Sequence, residues 1–273
     1  MKLSAKTKIC LIIGDPVAHS LSPAMHNAGF DALGIGNKYV FLGAKVKVED
    51  VGIAVQAMRK MGIHGLTCTI PHKIEVMKYL DEIDEVAKKI GAVNTVLNQN
   101  GKFIGFNTDW LGVVTPLEKI IDLSKRKVLV LGAGGAARAA IFGLSKRKAK
   151  VTIFNRTKEK AILLAKEFNC EATDLIKKSD ISNFDIIINT TSVGMKPREI
   201  ETPITVEYLT RNQIVFDIVY VPYETKLLIE AKKRGAMVVH GIEMLLYQGT
   251  AQFEIYTGQK APEKVMRAIL ETR

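Results

Sequence analysis

The chain has 273 residues, 47% hydrophobic and 25% charged, a composition that suits a soluble globular protein with core enough for one large domain or two ordinary ones. No apolar run approaches the length of a membrane span, and the early "ICLII" is too short for the core of a signal peptide, so no membrane association and a cytoplasmic location are expected. The net charge of +11 raises nucleic acid as a partner, but the basic residues are spread along the chain with few aromatics between them; that pattern predicts a lysine-rich solvated surface, part of whose charge attracts an anionic small molecule.

Strand-like and helix-like segments alternate, which predicts an α/β fold with a largely parallel sheet. "KICLII" reads as a strand, residues 23–33 as a helix, "YVFLGAKV" as a strand, 49–61 as a helix and "IHGLTCTI" as a third strand. One long amphipathic helix is expected over 72–90. The rhythm then breaks at "AVNTVLNQNGKFIGFNTD", a hairpin turning at Asn100-Gly101, a pair suited to positive φ. A helical connector follows Gly112, and the alternation restarts at "KVLVLGAGGAARAAIFGL". "KVTIFN", "DIIINT", "QIVFDI" and "AMVVH" are further strands, and a helix over 224–234 ends at Gly235. Two terminal helices, 242–256 and 262–271, complete the chain. The expected organisation is two α/β domains with an active-site cleft between them. Residues 1–112 form the first, with the helices of 242–273 packing back onto it, and 113–241 form a Rossmann-type dinucleotide-binding domain.

Cys10, Cys68 and Cys170 are too far apart for a metal knuckle or redox pair, and no His-x-x-x-His pair falls on a predicted helix; no metal is expected.

"VLVLGAGGAARAA" carries Gly132-x-Gly134-x-x-Ala137 between a strand and a helix. The glycines allow a tight turn and close backbone approach to a pyrophosphate, and a small third residue lets helix and strand pack closely. A cofactor with a free ribose 2′-hydroxyl calls for an acid at the end of the next strand, about 20 residues on. Asn155 stands there instead, followed by Arg156, Thr157, Lys158 and Lys160. Guanidinium and ammonium groups suit a 2′-phosphate, so the expected cofactor is NADP.

In "GDPVAHSLSPAMHN", Ser22 suits a helix N-cap and Pro23 the first turn. The residue before a proline tends to be extended, and Ser20 and Ser22, two apart in such a segment, would point the same way. Two hydroxyls beside a helix start could bind a carboxylate. Capping alone explains Ser22 and leaves Ser20 unused, and spacing does not decide between these readings.

The successive segments "HSLSPAMHN", "TIPHK", "GAVNT", "FNTDWLG", "GAGGAAR", "NRT" and "NTTSVGM", with the later "HGIEMLLYQGTAQF", resemble the signatures of the shikimate dehydrogenase family, in the family's order and over almost the whole chain. The resemblance implies reversible NADP-dependent reduction of 3-dehydroshikimate to shikimate, on the route to aromatic amino acids. It implies that Ser20 and Ser22, with Tyr220, bind the substrate carboxylate, that Thr69, Asn94, Asp109 and Gln248 contact the ring hydroxyls, and that Lys73 and Asp109 are the catalytic pair. On the cofactor side it implies Gly132, Gly134, Gly135 and Ala136 at the pyrophosphate, Asn155, Arg156 and Thr157 at the adenosine phosphate, where the basic cluster adds Lys160, and Thr190, Ser192, Gly241 and Met244 along the nicotinamide. A homodimer is compatible with the resemblance but is not required by it.

One residue departs from the family's pattern. Thr67 stands where an asparagine is usual, which keeps a hydroxyl but shortens the reach of a substrate contact expected there. His240, before the expected Gly241, reads as a satisfied or exposed histidine without a catalytic role. Lys73 alone would pass as a solvated lysine in the first turn of a helix, where the dipole disfavours its charge and Asp109 would favour it. With "TIPHK" and "NTD" both present, it reads as the group that serves the oxygen on which negative charge develops. Three alternatives stand beside this: an NAD-dependent quinate/shikimate dehydrogenase, which serine at 22 and the basic cluster disfavour; a catalytically silent metabolite sensor, which need not keep Lys73 and Asp109; and a folate enzyme of similar architecture, which would lack the paired serines.

Overall fold

A computed structural model describes residues 3–173 and 178–272, and the chain divides into two compact units. The first is built from the residues up to Thr108 together with Gln248 onward, the second from Asp109–Tyr247. In the first unit, β1 (Lys8–Gly14), α1 (Ser22–Ala32), β2 (Tyr39–Lys45), α2 (Val51–Lys60) and β3 (Gly65–Cys68) follow the expected alternation. The β-branched and aromatic residues of these strands supply the core, with Ile13, Phe41 and Leu66 fully buried.

The expected long helix over 72–90 is not formed. Its place is taken by a 3-10 turn (Glu75–Tyr79), the short strand β4 (Glu82–Ile83) and α3 (Glu85–Ile90). Leu80 is extended (φ −97°, ψ 150°), and the amides of Asp81 and Asp84 donate to the carbonyls of Phe103 and Gly105 at 3.0 and 2.8 Å. Asp84 then caps α3 by accepting from Val86 N at 2.9 Å, and Gly91 closes it in the left-handed conformation (φ 68°). The apolar period of 72–90 fits a helix, but pairing to the hairpin and a strong cap interrupt it.

β5 (Thr95–Gln99) and β6 (Lys102–Phe106) form the expected hairpin, with Asn100 and Gly101 at φ 54° and 89°. The six-stranded sheet runs β2-β1-β3-β5-β6-β4, parallel at β2, β1 and β3, with β5 antiparallel to both of its neighbours. This places the start of β5 at the carboxyl end of β3, where Cys68 N donates to Asn94 O at 2.8 Å.

The second unit opens with α4 (Asp109–Glu118) and continues β7 (Lys127–Leu131), α5 (Gly135–Lys146), β8 (Lys150–Phe154), α6 (Lys158–Phe168), β9 (Glu171–Thr173), α7 (Lys178–Ile181), β10 (Ile186–Asn189), β11 (Ile214–Asp217), α8 (Lys226–Lys233) and β12 (Met237–Val239). Its strands are all parallel, in the order β12-β11-β10-β7-β8-β9. Read from β9, that is the 3-2-1-4-5-6 order of a doubly wound dinucleotide-binding sheet, with its switch point beside β7. The continuous apolar runs of β7 and β10 are buried on both faces. α9 (Gly241–Thr257) runs from the second unit into the first, and α10 (Glu263–Glu271) packs on α1. Among the described residues no helix is long and apolar enough to cross a membrane.

Candidate active site

In the first unit, the loops at the carboxyl ends of β1 and β3 and the segment entering β5 bring several of the expected residues together. Gly14 lets the chain leaving β1 lie against Thr69, because a Cβ there would collide with the threonine methyl. Thr69 N donates to Ile13 O at 3.0 Å and Asp15 N to Ile70 O at 3.0 Å, stitching the two loops. Lys73 follows in a turn, half-buried, and its carbonyl accepts from Val93 N at 2.7 Å, which seats it beside the segment carrying Asn94. The helix expected to start at Lys73 is instead a short 3-10 turn beginning only at Glu75, so the α-helical first turn expected to act on the ammonium is not formed.

Asn94 is 1% exposed and tightly held. Its Oδ1 accepts from Thr108 N at 2.9 Å and from the Thr95 hydroxyl at 2.7 Å, while its Nδ2 donates to Thr108 Oγ1 at 2.9 Å and to Gln248 Oε1 at 3.4 Å. Two of the expected substrate contacts thus face each other. Thr67, 4% exposed, has its hydroxyl 2.8 Å from the phenol oxygen of Tyr256, a partner within the protein.

The serine pair differs from expectation. Leu21, between them, is helical (φ −85°, ψ −6°), so the segment is not extended and the alternation argument for a shared direction does not apply. Ser22 is the first residue of α1 instead of its cap, and Ser20 Oγ accepts from Ser22 N at 3.3 Å. The hydroxyl thought unused is the one that meets the helix start, and Ser22 is buried.

In the second unit, Gly132 (φ 118°) makes the turn after β7, and a Cβ on it would stand 2.6 Å from Thr190 Oγ1. Gly134 is exposed with open space above it, at the N-cap of α5, so the amides of Gly135 and Ala136 begin a helix of 12 residues behind an uncluttered turn. Ala137 is fully buried, as close packing of helix on strand requires. Asn155 follows β8 and donates to Thr157 O at 2.8 Å, and Arg156, Thr157 and Lys160 are exposed around the start of α6. Glycine turn, helix start and cationic segment together fit a dinucleotide carrying a 2′-phosphate.

The residues expected along the nicotinamide rest on a hub that sequence reading missed. Asp217 is wholly buried and accepts from Thr225 Oγ1 (2.6 Å), Asn189 Nδ2 (2.9 Å) and Val219 N (3.0 Å). Burial pushes its carboxyl up to about 6 against these three donors. Asn189 in turn accepts from Thr191 N at 3.0 Å and donates to Val193 O at 3.0 Å, so the hub shapes both the Thr190–Ser192 loop and the loop leading to Tyr220. Gly241 is needed where the chain passes the carbonyl of Val219. Met244 is buried in the core with Phe216 and Val239. His240 stacks on Tyr223, with centroids 4.4 Å apart, and meets Glu224 at 3.3 Å, a satisfied histidine as expected. Asp109 is buried at the start of α4.

Tyr256, Gln252, Thr95 and Thr108, which hold the first unit's site, were also missed. The available signal was Gln248, Gln252 and Tyr256 at i, i+4 and i+8, a polar stripe on one face of an otherwise apolar helix.

A parallel sheet in this order, with a glycine turn at its switch point and a cationic segment after the neighbouring strand, defines a Rossmann-class dinucleotide-binding domain. Family models match as the shikimate dehydrogenase substrate binding domain over residues 12–96, shikimate / quinate 5-dehydrogenase over 116–223, and the shikimate 5′-dehydrogenase C-terminal domain over 241–271. The chain belongs to the shikimate dehydrogenase family, NADP(+)-dependent oxidoreductases acting on a CH–OH group. It is 46% identical to the shikimate dehydrogenase (NADP(+)) of Bacillus cereus, over 91% of this chain and 92% of the relative. A crystal structure of a shikimate dehydrogenase in complex with NADP+ is similar at a TM-score of 0.92 and 42% identity, covering 99% of this chain and 97% of the other. A Thermus thermophilus shikimate 5-dehydrogenase, solved with NADP(H) and shikimate, is similar at a TM-score of 0.90 and 33% identity, covering 97% and 99%.

Proposed function

We propose that this chain works in the cytoplasm, where it reduces 3-dehydroshikimate to shikimate and runs the reverse oxidation, with Lys73 and Asp109 as its catalytic pair. The observation that carries this reading is the convergence of Thr69, Lys73 and Asn94 at one end of the first sheet, with Gln248 opposite Asn94 at 3.4 Å. A hydroxyl set between those two amides would meet a donor from Asn94 and an acceptor from Gln248, the polarity a ring alcohol needs. NADPH supplies the hydride that reaches the ketone carbon.

The rest falls to the chain's own groups. Lys73 stabilises the oxygen as negative charge develops on it and gives it a proton, and in the oxidation it takes that proton back. Asp109 holds the ammonium in place. Thr69, Asn94, Asp109 and Gln248 orient the ring hydroxyls, and Ser20, Ser22 and Tyr220 receive the carboxylate. Gly132, Gly134, Gly135 and Ala136 hold the pyrophosphate at the start of α5. Asn155, Arg156, Thr157 and Lys160 take the adenosine phosphate, and Thr190, Ser192, Gly241 and Met244 lie along the nicotinamide.

The test is a four-way assay of the purified protein, shikimate or quinate with NADP or NAD, followed by the absorbance of the reduced nicotinamide. Shikimate with NADP should be fastest. Faster turnover of quinate with NAD, or no turnover with any pair, contradicts the assignment.

A further inference from the structure

Behind Asn94 lies a run of buried side chains whose hydrogen bonds have one consistent direction. Thr67 Oγ1 is placed to donate to Gln252 Oε1 at 3.4 Å. A threonine hydroxyl has one proton, so its 2.8 Å contact with Tyr256 must then be a bond it accepts, with the phenol as donor. At the other end of the same amide, Gln252 Nε2 donates to Thr95 Oγ1 at 2.9 Å, and Thr95 Oγ1 donates to Asn94 Oδ1 at 2.7 Å. The run is Tyr256 to Thr67 to Gln252 to Thr95 to Asn94, each link donating to the next. Tyr256 and Asn94, its two ends, are 2% and 1% exposed and Gln252 in its middle is fully buried, so no link can exchange its partner for water. Burial also holds the phenol well above its ordinary range, which keeps its proton in place.

We propose that this one-way chain fixes which way the Asn94 amide faces, and that Thr67, Gln252 and Tyr256 are therefore positioning residues for substrate binding. The proposal rests on the reading of Asn94 and Gln248 as substrate-binding residues. With Oδ1 turned inward to Thr95 and to Thr108 N, Asn94 must present Nδ2 toward Gln248. The chain adds the Thr95 hydroxyl to the donors that Thr108 supplies through its backbone amide (2.9 Å) and its hydroxyl (3.3 Å), and low-dielectric surroundings strengthen these bonds. Thr67 thereby acquires a role its position in the sequence did not suggest. Its hydroxyl works from behind the site, in contact with the Tyr256 phenol at 2.8 Å.

The test combines kinetics with a readout that needs no turnover. Tyr256→Phe and Thr67→Val each delete one hydroxyl and keep the shape of the core. Each should raise the KM for shikimate about fivefold or more while kcat stays within about twofold and the KM for NADP is unchanged; the double variant should be no worse than either single one. Thr67→Ser, which restores the hydroxyl, should restore KM. The side-chain amide resonances of Asn94 should shift in Tyr256→Phe even without ligand, although Tyr256 does not touch Asn94. A wild-type KM in Tyr256→Phe with a raised KM in Thr67→Val would make Thr67 a direct contact and overturn the proposal. Unmoved Asn94 resonances would overturn it too. A wild-type protein inactive on shikimate would instead remove the functional reading, while the resonances would still decide whether the chain orients the amide.

Discussion

Gly132 and Thr190 approach so closely that a methyl group on the glycine would stand 2.6 Å from the threonine hydroxyl. The contact joins the turn after β7 to the loop after β10, on either side of the sheet's switch point. Thr190 is itself pinned, its hydroxyl donating to Leu131 O at 2.6 Å, so it cannot swing aside cheaply. Gly132 also sits at φ 118°, where an L side chain is strained. Gly132→Ala should destabilise the protein by about 2–4 kcal/mol, the sum of strain and overpacking, and should raise the KM for NADP at least tenfold, in line with a displaced pyrophosphate turn. Chemical denaturation and steady-state kinetics check this. An alanine variant with wild-type stability and NADP affinity would show that the loops have slack.

Arg156 is exposed at the end of β8, free of the packing that would make its removal a structural matter. Arg156→Ala should raise the KM for NADP by at least about tenfold, as expected for losing a charge-assisted phosphate contact of about 1.5–3 kcal/mol. The KM for NAD should hardly move. Equal weakening of both cofactors would mean that the residue does not read the 2′-phosphate.

Much of this architecture was legible in advance, for identifiable reasons. The apolar strands of the second unit, the glycine turn and the Asn100-Gly101 hairpin are local signals, and local backbone chemistry decides them. The region after "TIPHK" was misread because its apolar period is helical, whereas hydrogen bonds from Asp81 and Asp84 to the hairpin, long-range in sequence, win. The Asp84 cap and the Gly91 stop are present in the sequence and, weighed against the period, point to the short helix. Ser20 and Ser22 show the opposite case. Their spacing was read through an extended backbone, and a helical Leu21 removed the premise. The buried hubs at Asn94 and Asp217 join residues far apart in the chain, which no single-segment pattern reveals.

His26 offers a test of the first unit's core. It is wholly buried and stacked on Phe41, with centroids 4.4 Å apart, and burial lowers its pKa from 6.5 to about 3. Between those values the unfolded chain takes up a proton that the folded ring refuses. The neutral ring's contribution is therefore fully present above pH 6.5 and is lost as pH falls toward 3, by up to about 1.4 kcal/mol per pH unit. Asp217 runs the other way: its folded value of about 6 lies above 3.8, so its burial costs stability above pH 6 and the cost fades as pH falls. Replacing His26 isolates its share. Relative to wild type, His26→Phe should gain stability steadily as pH drops from 7 to 4, measured by thermal unfolding across pH. A constant difference would place a proton-accepting group next to the ring and contradict its burial as a neutral imidazole.

In the proposed mechanism Lys73 serves the oxygen at the reacting carbon. Lys73→Met keeps much of the side chain's length and apolar bulk, and the turn that holds it is fixed by backbone bonds such as Val93 N to Lys73 O, which the substitution leaves in place. The decisive measurement is steady-state oxidation of shikimate by NADP, wild type against Lys73→Met, with circular dichroism to confirm folding. The expected result is that kcat falls by about 10²–10⁴, the usual worth of a positioned acid–base group, while the KM for shikimate changes far less, as for an interaction made mainly in the transition state. A folded variant within about threefold of the wild-type kcat, well short of that acid–base range, would contradict it and leave Lys73 a solvated turn residue.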